Sequence, residues 1–283
     1  MSPSSFCKRG RPSRSKSPGP PCPTLGFGSV LADVPLPLQS GALLNLAPPS
    51  ACAYFLDVDG TLLEIRPRPE DVIADHALLA LLGNLKEAAN GALGLVSGRK
   101  IDDIDRIVAP LVLPAAGLHG AEIRFSDGAR TPPQDDATKM ARTPLADFVD
   151  AHPGLLLEDK GATIAVHFRQ RPELASDVLA FLATLAQRTG LSIQEGKMVA
   201  ELKQAHHDKG RGIDALLEHS PFFGRRPVFI GDDLTDESGF RFVNARGGIS
   251  VRVGTAEFAT DARYLLPDPS GVRTELFRLL ERA

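Results

Sequence analysis

Two carboxylates, Asp57 and Asp59, follow the apolar run 53–56, which predicts a buried strand. Ligands of open α/β sheets bind at the carboxyl ends of strands, and an unpaired buried acid there would cost several kcal/mol. Gly60 permits a sharp turn and a close approach of the backbone to a ligand. The pattern indicates phosphoryl transfer through an aspartyl-phosphate, with one Asp as the nucleophile and the other as the acid and base.

The segment 57–60 also allows two plainer interpretations. It could be part of a calcium loop, although the third carboxylate and the closing Glu of such a loop are missing. It could also be an ordinary turn, because Asp and Gly favour turns. Further polar groups elsewhere in the chain, also at predicted element ends, favour the catalytic interpretation over both.

Three other segments carry polar groups at the ends of predicted elements. Ser97 follows the run 91–96 and precedes a helical pattern, where its hydroxyl could hold a phosphate oxygen or cap the helix. The run 227–230 leads into four acids within residues 232–237, which a hard cation such as Mg²⁺ explains well. Lys209 opens a further helical pattern, where it could neutralise a phosphoryl group or lie on the surface.

In chain order, these four segments at 57–60, 97, 209 and 232–237 resemble the haloacid dehalogenase (HAD) superfamily. The resemblance implies an α/β fold with a Rossmann-like core around a parallel sheet. It implies that Asp57 is the nucleophile and Asp59 the general acid and base. Ser97 would hold the phosphate and Lys209 would neutralise its charge. Mg²⁺ would be held by Asp57, the backbone carbonyl of Asp59 and Asp232.

Length and composition set wider limits. The chain has 283 residues, 43% of them apolar, and a net charge of −3, which predicts a globular protein with room for two modest domains. The charge gives no sign of nucleic-acid binding, and no apolar run approaches the roughly 20 residues of a membrane span. Cys7, Cys22 and Cys52 show neither metal-ligand spacing nor an even-numbered disulfide pattern, which fits the cytoplasm.

Residues 1–50 differ from the rest of the chain. They hold 10 of its 23 prolines and five Lys or Arg against one acid. This composition predicts a disordered, Ser/Pro-rich basic tail. The segment 9–12 resembles the core of an AT-hook, which would bind the minor groove of A·T-rich DNA. A targeting segment, or a start placed too early, would also account for the stretch.

The stretch between Ser97 and Lys209 is too long for a loop and predicts a second domain. One helix is predicted to begin with Thr143 as its cap and Pro144 at its first position, and another near Pro172. Strand-like runs follow each helix, at 155–158, 163–168, 191–194 and 198–202. This α-β-β, α-β-β order predicts a small sheet that covers the active site as a cap.

The predicted domains are therefore a catalytic core and a cap. The core consists of residues 51–124 and 204–283, and the cap of residues 125–203. The two-residue repeat of a strand places Glu201 and Lys203 on the same face of the cap sheet. That face could bind the hydroxyls of a sugar, or it could simply be in contact with water.

Six motifs resemble the trehalose-6-phosphate phosphatases, with similarity from about Tyr54 to the C-terminus. The motifs are residues 117–122, 158–160, 167–169, 201–203, 208–210 and 231–237. The substrate-binding residues that the resemblance implies are Arg99, His119, Glu122, Glu158, Glu201 and Lys203. The sequence departs from the family pattern at Gln204 and His206, which puts the loop before Lys209 in doubt.

The sequence thus predicts an enzyme that hydrolyses trehalose 6-phosphate to trehalose and phosphate with Mg²⁺. The nearest alternative is a phosphatase for another sugar phosphate. An alternative of another class is a non-catalytic sugar-phosphate sensor, or a DNA-binding protein that acts through its tail. The expected partner is the small-molecule substrate, with neither nucleic acid nor a membrane, and the chain is expected to be a cytoplasmic monomer.

Overall fold

The computed structural model describes residues 35–66, 71–132, 136–196, 198–205, 207–255 and 259–281. These residues contain thirteen strands and eight α-helices, and both sheets belong to one compact unit, Ala32–Ala283. None of the described helices is long and apolar enough to cross a membrane. Most of the predicted tail, including the motif at 9–12, lies outside the described residues, as does His206.

The secondary-structure elements alternate along the chain. The strands are β1 (Leu36–Pro37), β2 (Cys52–Leu56), β3 (Leu93–Val96), β4 (Ala115–Gly117), β5 (Glu122–Arg124), β6 (Arg130–Thr131), β7 (Leu156–Asp159), β8 (Ile164–His167), β9 (Leu191–Gly196), β10 (Val199–Gln204), β11 (Arg226–Gly231), β12 (Ile249–Val253) and β13 (Tyr264–Leu266). The helices are α1 (Ala42–Leu46), α2 (His76–Ala88), α3 (Ile101–Val108), α4 (Asp136–Asp150), α5 (Ala175–Thr189), α6 (Lys209–Leu217), α7 (Glu237–Ala245) and α8 (Pro269–Glu281).

The large sheet has the strand order β1-β13-β12-β11-β2-β3-β4-β5-β6 within the described residues. In this order, every pair of neighbouring strands from β1 through β13, β12, β11, β2 and β3 to β4 is parallel. Strands β5 and β6 are added at the β4 edge in antiparallel pairs. Every residue of β2 and β3 is buried, as expected for parallel strands covered on both faces. The predicted α/β fold with a parallel sheet is confirmed.

The small sheet is antiparallel, with the order β7-β8-β10-β9. Ile164, Val166, Ala200 and Leu202 lie on one face, in a separate hydrophobic core with α4 and α5. Because side chains alternate along a strand, His167 of β8 and Glu201 and Lys203 of β10 lie on the opposite face. The element order α4-β7-β8-α5-β9-β10 is the predicted α-β-β, α-β-β order.

The start of α4 differs from the prediction. The described helix begins at Asp136, and Pro144 lies inside it rather than at its first position. A proline inside a helix removes one backbone hydrogen bond. Thr138 and Ala141, which precede the proline, are fully buried. We attribute the longer helix to their burial, which offsets the loss at the proline.

Residues 35–50 belong to the fold, so the prediction that the disordered tail reaches residue 50 is wrong for this stretch. Strand β1 pairs in parallel with β13 at the edge of the large sheet. Leu43 and Ala47 are fully buried in the large core. The backbone N–H of Gly41 donates to the Glu275 carboxylate of α8 at 2.8 Å. The Pro- and Ser-rich composition is outweighed here because these apolar side chains have a surface to pack against.

Candidate active site

Three predicted site residues follow neighbouring parallel strands. Asp57 follows β2, Ser97 follows β3 and Asp232 follows β11, and the sheet order places β2 between the other two strands. The carboxyl ends of parallel strands lie at the same edge of a sheet, where open α/β sheets bind ligands. The strand order therefore brings these three side chains to one edge.

Asp57 and Lys209 form a buried ion pair with Asp236. The Nζ of Lys209, the first residue of α6, lies 3.1 Å from Asp57 Oδ2 and 2.6 Å from Asp236 Oδ1. Burial raises the pKa of Asp57 well above its usual value, although the lysine opposes the rise. Burial alone would lower the pKa of Lys209, but the two carboxylates outweigh it and raise that pKa. The lysine is therefore held in its charged form.

Asp232 approaches the turn after β2 closely. Gly60 has a φ of +76°, and a Cβ at this position would lie 2.1 Å from Asp232 Oδ2, so only glycine leaves room for the carboxylate. The hydroxyl of Thr61 donates to Asp232 Oδ1 at 3.1 Å. Burial, and next the charge of Asp236, raises the pKa of Asp232 to about 7.

The carboxylates of this site fit a divalent cation. Asp57, Asp232 and Asp236 each offer an oxygen, and these atoms lie within 4.8 Å of one another. Lys209 supplies one positive charge against three carboxylates, so the cluster has more negative charge than its own lysine neutralises. Oxygen donors of this kind suit a hard cation. The side chain of Asp59 lies outside the cluster, and its predicted contribution through the backbone carbonyl stays a prediction.

Asp59, the predicted acid and base, is paired with Arg99. The guanidinium donates from Nε to Asp59 Oδ2 at 2.6 Å and from Nη2 to Oδ1 at 2.7 Å, so both carboxylate oxygens accept from one side chain. Burial is the largest single influence on the pKa of Arg99 and lowers it. The hydrogen bonds to Asp59 and the charges of Asp59, Asp103 and Glu158 together outweigh burial, so the pKa is raised overall. Asp59 must therefore exchange this partner before it can protonate a leaving group.

Ser97 is almost fully buried between the end of β3 and the start of α3. Its backbone N–H donates to the carbonyl of Ala116 at 2.9 Å, and its hydroxyl oxygen accepts from the backbone N–H of Arg99 at 3.3 Å. The N-cap residue of α3 is Lys100, so the alternative interpretation of Ser97 as a helix cap is wrong. The position suits a group that contacts a phosphate oxygen.

His119 connects the core edge to the small sheet. It has the left-handed backbone angles φ 55° and ψ 34°, which are uncommon for residues other than glycine, and its N–H donates to Ser97 O at 3.0 Å. Its Nε2 lies 3.2 Å from Glu201 Oε2 on β10. Burial lowers the pKa of His119, with the nearby Glu201 carboxylate opposing this effect. The ring is therefore neutral at pH 7.

Glu201 is almost fully buried and has three partners. Its Oε1 accepts from Thr163 Oγ1 at 2.5 Å and from Lys160 Nζ at 3.3 Å, and its Oε2 faces His119. Burial raises the pKa of Glu201, but Lys160, His119 and then Thr163 outweigh it and bring that pKa well below its usual value. The carboxylate is therefore ionised, and its donors are already supplied by the protein.

The other predicted sugar-binding residues of the small sheet also have internal partners. Lys203 donates from Nζ to the carbonyl of His207 at 2.7 Å, and burial lowers its pKa. Glu158 lies 2.9 Å from His167 Nε2, and this hydrogen bond is the main reason that the pKa of Glu158 is lowered. A sugar that binds here must replace contacts made by the protein itself.

Glu122 differs from the expectation that it binds substrate. Its Oε2 accepts from the backbone N–H of Ile101 at 3.0 Å, and its Oε1 lies 3.8 Å from Arg130 Nη1. The antiparallel pairing of β5 with β4 directs it to the start of α3, where a carboxylate is favourable. In the described part of the chain its contacts therefore stabilise the helix.

Two residues at the site were not assigned roles from the sequence. Asp236 is fully buried, and its Oδ2 accepts from the backbone N–H groups of Asp232 and Asp233, at 2.9 Å each, while its Oδ1 pairs with Lys209. Its place among four closely spaced acids was a signal for this role. Gln194 lies 3.2 Å from His119 across 75 residues of sequence. The only local signal for it was polar alternation in a predicted strand.

Comparison with known proteins identifies relatives of this chain. The family model described as trehalose-phosphatase matches residues 55–270. The trehalose-6-phosphate phosphatase of Escherichia coli strain K12 is 41% identical over 223 residues, which cover 76% of this chain and 81% of that protein. The residues that the family model matches include the whole small sheet and every residue of the site described above.

Solved structures show the same fold. A trehalose-6-phosphate phosphatase related protein has 26% identity and a TM-score of 0.68, covering 81% of this chain and 97% of its own. A phosphatase of the HAD superfamily from Bacteroides thetaiotaomicron has 16% identity and a TM-score of 0.59. The match covers 82% of this chain and 96% of that one, and it shows the fold alone. With the family model matching most of its length, the chain belongs to the trehalose-phosphatase family.

Proposed function

We propose that this chain hydrolyses trehalose 6-phosphate to trehalose and inorganic phosphate. The observation that carries the proposal is the buried pairing of Asp57 with Lys209 at the end of a parallel strand, beside Asp236. A carboxylate held next to a permanent positive charge is placed to attack an anionic phosphoryl group. Membership of the trehalose-phosphatase family supports the substrate.

The proposed reaction has two steps. The Asp57 carboxylate attacks phosphorus, and the bond from phosphorus to the sugar oxygen breaks while Asp59 gives that oxygen a proton. Asp59 then takes a proton from a water molecule, which attacks the phosphoaspartate and releases phosphate and free Asp57. Ser97 and Lys209 stabilise the charge on the transferring group throughout.

A magnesium ion is the proposed cofactor, held by Asp57, the backbone carbonyl of Asp59 and Asp232. The excess of carboxylates over lysines in this cluster supports it. When bound, such a cation neutralises negative charge on a phosphoryl oxygen. Asp236 pairs with Lys209 and accepts two backbone N–H groups, so we assign it to positioning the lysine and the loop that carries Asp232.

The pairing of Arg99 with Asp59 is proposed to be the arrangement of the site before substrate binds. Because both oxygens of Asp59 accept from Arg99, the guanidinium must move before proton transfer. A substrate phosphate is a strong competing acceptor for a guanidinium. We propose that the substrate draws Arg99 away from Asp59, and that Glu158 of the small sheet, which already acts on Arg99 electrostatically, then helps to hold it.

Residues 125–203 are proposed to act as a cap on a core of residues 51–124 and 204–283, to which residues 35–50 add. Glu158, Glu201 and Lys203 would bind the sugar, and closure of the cap would exclude water from the phosphoaspartate. That Gln204 and His206 alter the loop before Lys209 stays a prediction. The cytoplasm and a monomeric state likewise stay predicted from the sequence.

The test is phosphate release with Mg²⁺ from trehalose 6-phosphate, sucrose 6-phosphate and glucose 6-phosphate. We expect kcat/KM for trehalose 6-phosphate to exceed the others by about a hundredfold or more, which is roughly 2.7 kcal/mol of transition-state stabilisation. Similar, slow rates on all three esters would contradict the substrate while leaving the phosphatase chemistry in place. No release from any ester would contradict both.

A further inference from the structure

Gln194 lies beside the predicted sugar-binding carboxylate. The antiparallel register of β9 and β10 places Gln194 directly opposite Glu201, and the register of β8 and β10 places Ala165 opposite the same residue. Directly opposite side chains in a sheet point to the same face. Gln194 therefore belongs to the polar face of the small sheet, in one row with Glu201.

Gln194 and Glu201 contact the same atom of the core. The Nε2 of His119 lies 3.2 Å from the Gln194 amide nitrogen and 3.2 Å from Glu201 Oε2. One ring nitrogen can donate to the carboxylate or accept from an amide N–H, but it cannot do both. The amide therefore acts on the hydrogen bond between His119 and Glu201, and through it on the carboxylate.

The ring of His119 has little freedom to move away. Its backbone is fixed to Ser97 O, and a Cβ at Gly98 would lie 2.6 Å from its Nε2, so the ring packs directly against the chain after β3. The Nδ1 of the ring is buried without a hydrogen-bond partner in the described part of the chain. Orientation of the imidazole therefore depends on its contacts through Nε2.

We propose that Gln194 is a positioning residue for sugar recognition, which acts through His119 to orient Glu201 toward the hydroxyls of the disaccharide. The inference rests on the proposed function, since it concerns the same sugar site. Gln194 makes no contact with the reacting phosphoryl group in this role. Its loss should therefore affect disaccharide phosphates and spare small aryl phosphates, whose hydrolysis needs only the core.

The test compares wild type, Gln194→Leu, His119→Ala and the double variant on trehalose 6-phosphate and on p-nitrophenyl phosphate, with Mg²⁺. We expect Gln194→Leu to raise KM for trehalose 6-phosphate about tenfold and to change kcat/KM for the aryl ester less than about twofold. In the His119→Ala background the same change should have little further effect, because the two residues act in one chain of contacts.

Glu195→Gln is the matched control, because Glu195 is the adjacent exposed residue of β9 and points to the other face; it should leave both substrates unchanged. If Gln194→Leu fails to fold, Gln194→Met of similar length replaces it. Two results for Gln194→Leu would overturn this inference alone. One is a KM and kcat for trehalose 6-phosphate equal to those of the wild type, and the other is an equal loss of activity on both esters. Failure of the wild type itself would overturn the proposed function.

Discussion

Asp57 at the edge of the large sheet and Glu201 on the face of the small sheet are both buried, yet their pKa values are shifted in opposite directions. Asp57 lies in a cluster where three carboxylates share one lysine, and its pKa is raised. Glu201 is a single carboxylate with several donors, Lys160 and His119 among them, and its pKa is lowered. The first region has more carboxylates than positive charges, and the second surrounds a single carboxylate with donors.

We expect this difference to separate the chemical step from the recognition of the sugar. The edge of the large sheet has more carboxylates than its own lysine neutralises, which suits a site for metal-assisted phosphoryl transfer. On the face of the small sheet, Glu201 and Lys203 already have partners within the protein, so we expect a sugar to bind there by replacing these hydrogen bonds with its own. Replacement of this kind favours a ligand whose hydroxyls match the whole set of partners and disfavours partial matches.

The largest expected effect is at the edge of the large sheet. Asp57→Asn keeps the size of the side chain and removes the nucleophile, so kcat should fall by about 10⁴-fold or more on every phosphate ester. Thermal unfolding checks that the variant is folded, and phosphate release with Mg²⁺ gives the rate. Near-normal turnover in a folded variant would exclude the aspartyl-phosphate mechanism.

A smaller and selective effect is expected on the small sheet. Glu201→Ala should lower kcat/KM for trehalose 6-phosphate by about 10- to 1,000-fold, the range of one or two lost charged hydrogen bonds. It should change the hydrolysis of p-nitrophenyl phosphate by less than about threefold, because the edge of the large sheet is untouched. An equal loss on both esters would remove the distinction between the two regions.

The smallest effect concerns pH and the contact between the regions. Because the pKa of His119 is lowered in the fold, the unfolded chain binds a proton below about pH 6.5 that the folded chain resists. The contribution of His119 to the free energy of unfolding should therefore fall as pH decreases from about 7.5 to about 5.5, while the raised pKa of Asp232 acts in the opposite direction over the same range. In urea unfolding, the stability of wild type relative to His119→Asn should therefore fall over this pH range, since asparagine tolerates the left-handed backbone and does not titrate. A difference between the two proteins that does not change with pH would contradict this role of the ring.

Much of the large-sheet site could be predicted because its geometry is local. An apolar run followed by Asp57, or by Ser97, gives both the strand and the position of the polar group at its end. The two-residue repeat likewise placed Glu201 and Lys203 on the face opposite the buried Ala200 and Leu202. In these cases the side chain's position follows from its own strand.

What the sequence did not reveal depends on contacts between distant segments. Glu122 reaches the start of α3 only because of strand pairing, and Gln194 reaches His119 only because the small sheet lies against the core. The extended start of α4 and the folding of residues 35–50 depend on surfaces that other parts of the chain provide. A local pattern contains no information on any of these partners.

The docking of residues 35–50 has a practical consequence for how the protein is handled. Strand β1 covers the outer edge of β13, and an uncovered edge of a large sheet can pair with another molecule. Leu43 and Ala47 also close a part of the apolar core that α8 would otherwise expose to water. A shortened protein that began at residue 51 would therefore be prone to aggregate. One that began near residue 32 would keep the edge of β13 paired and the apolar surface beside α8 covered.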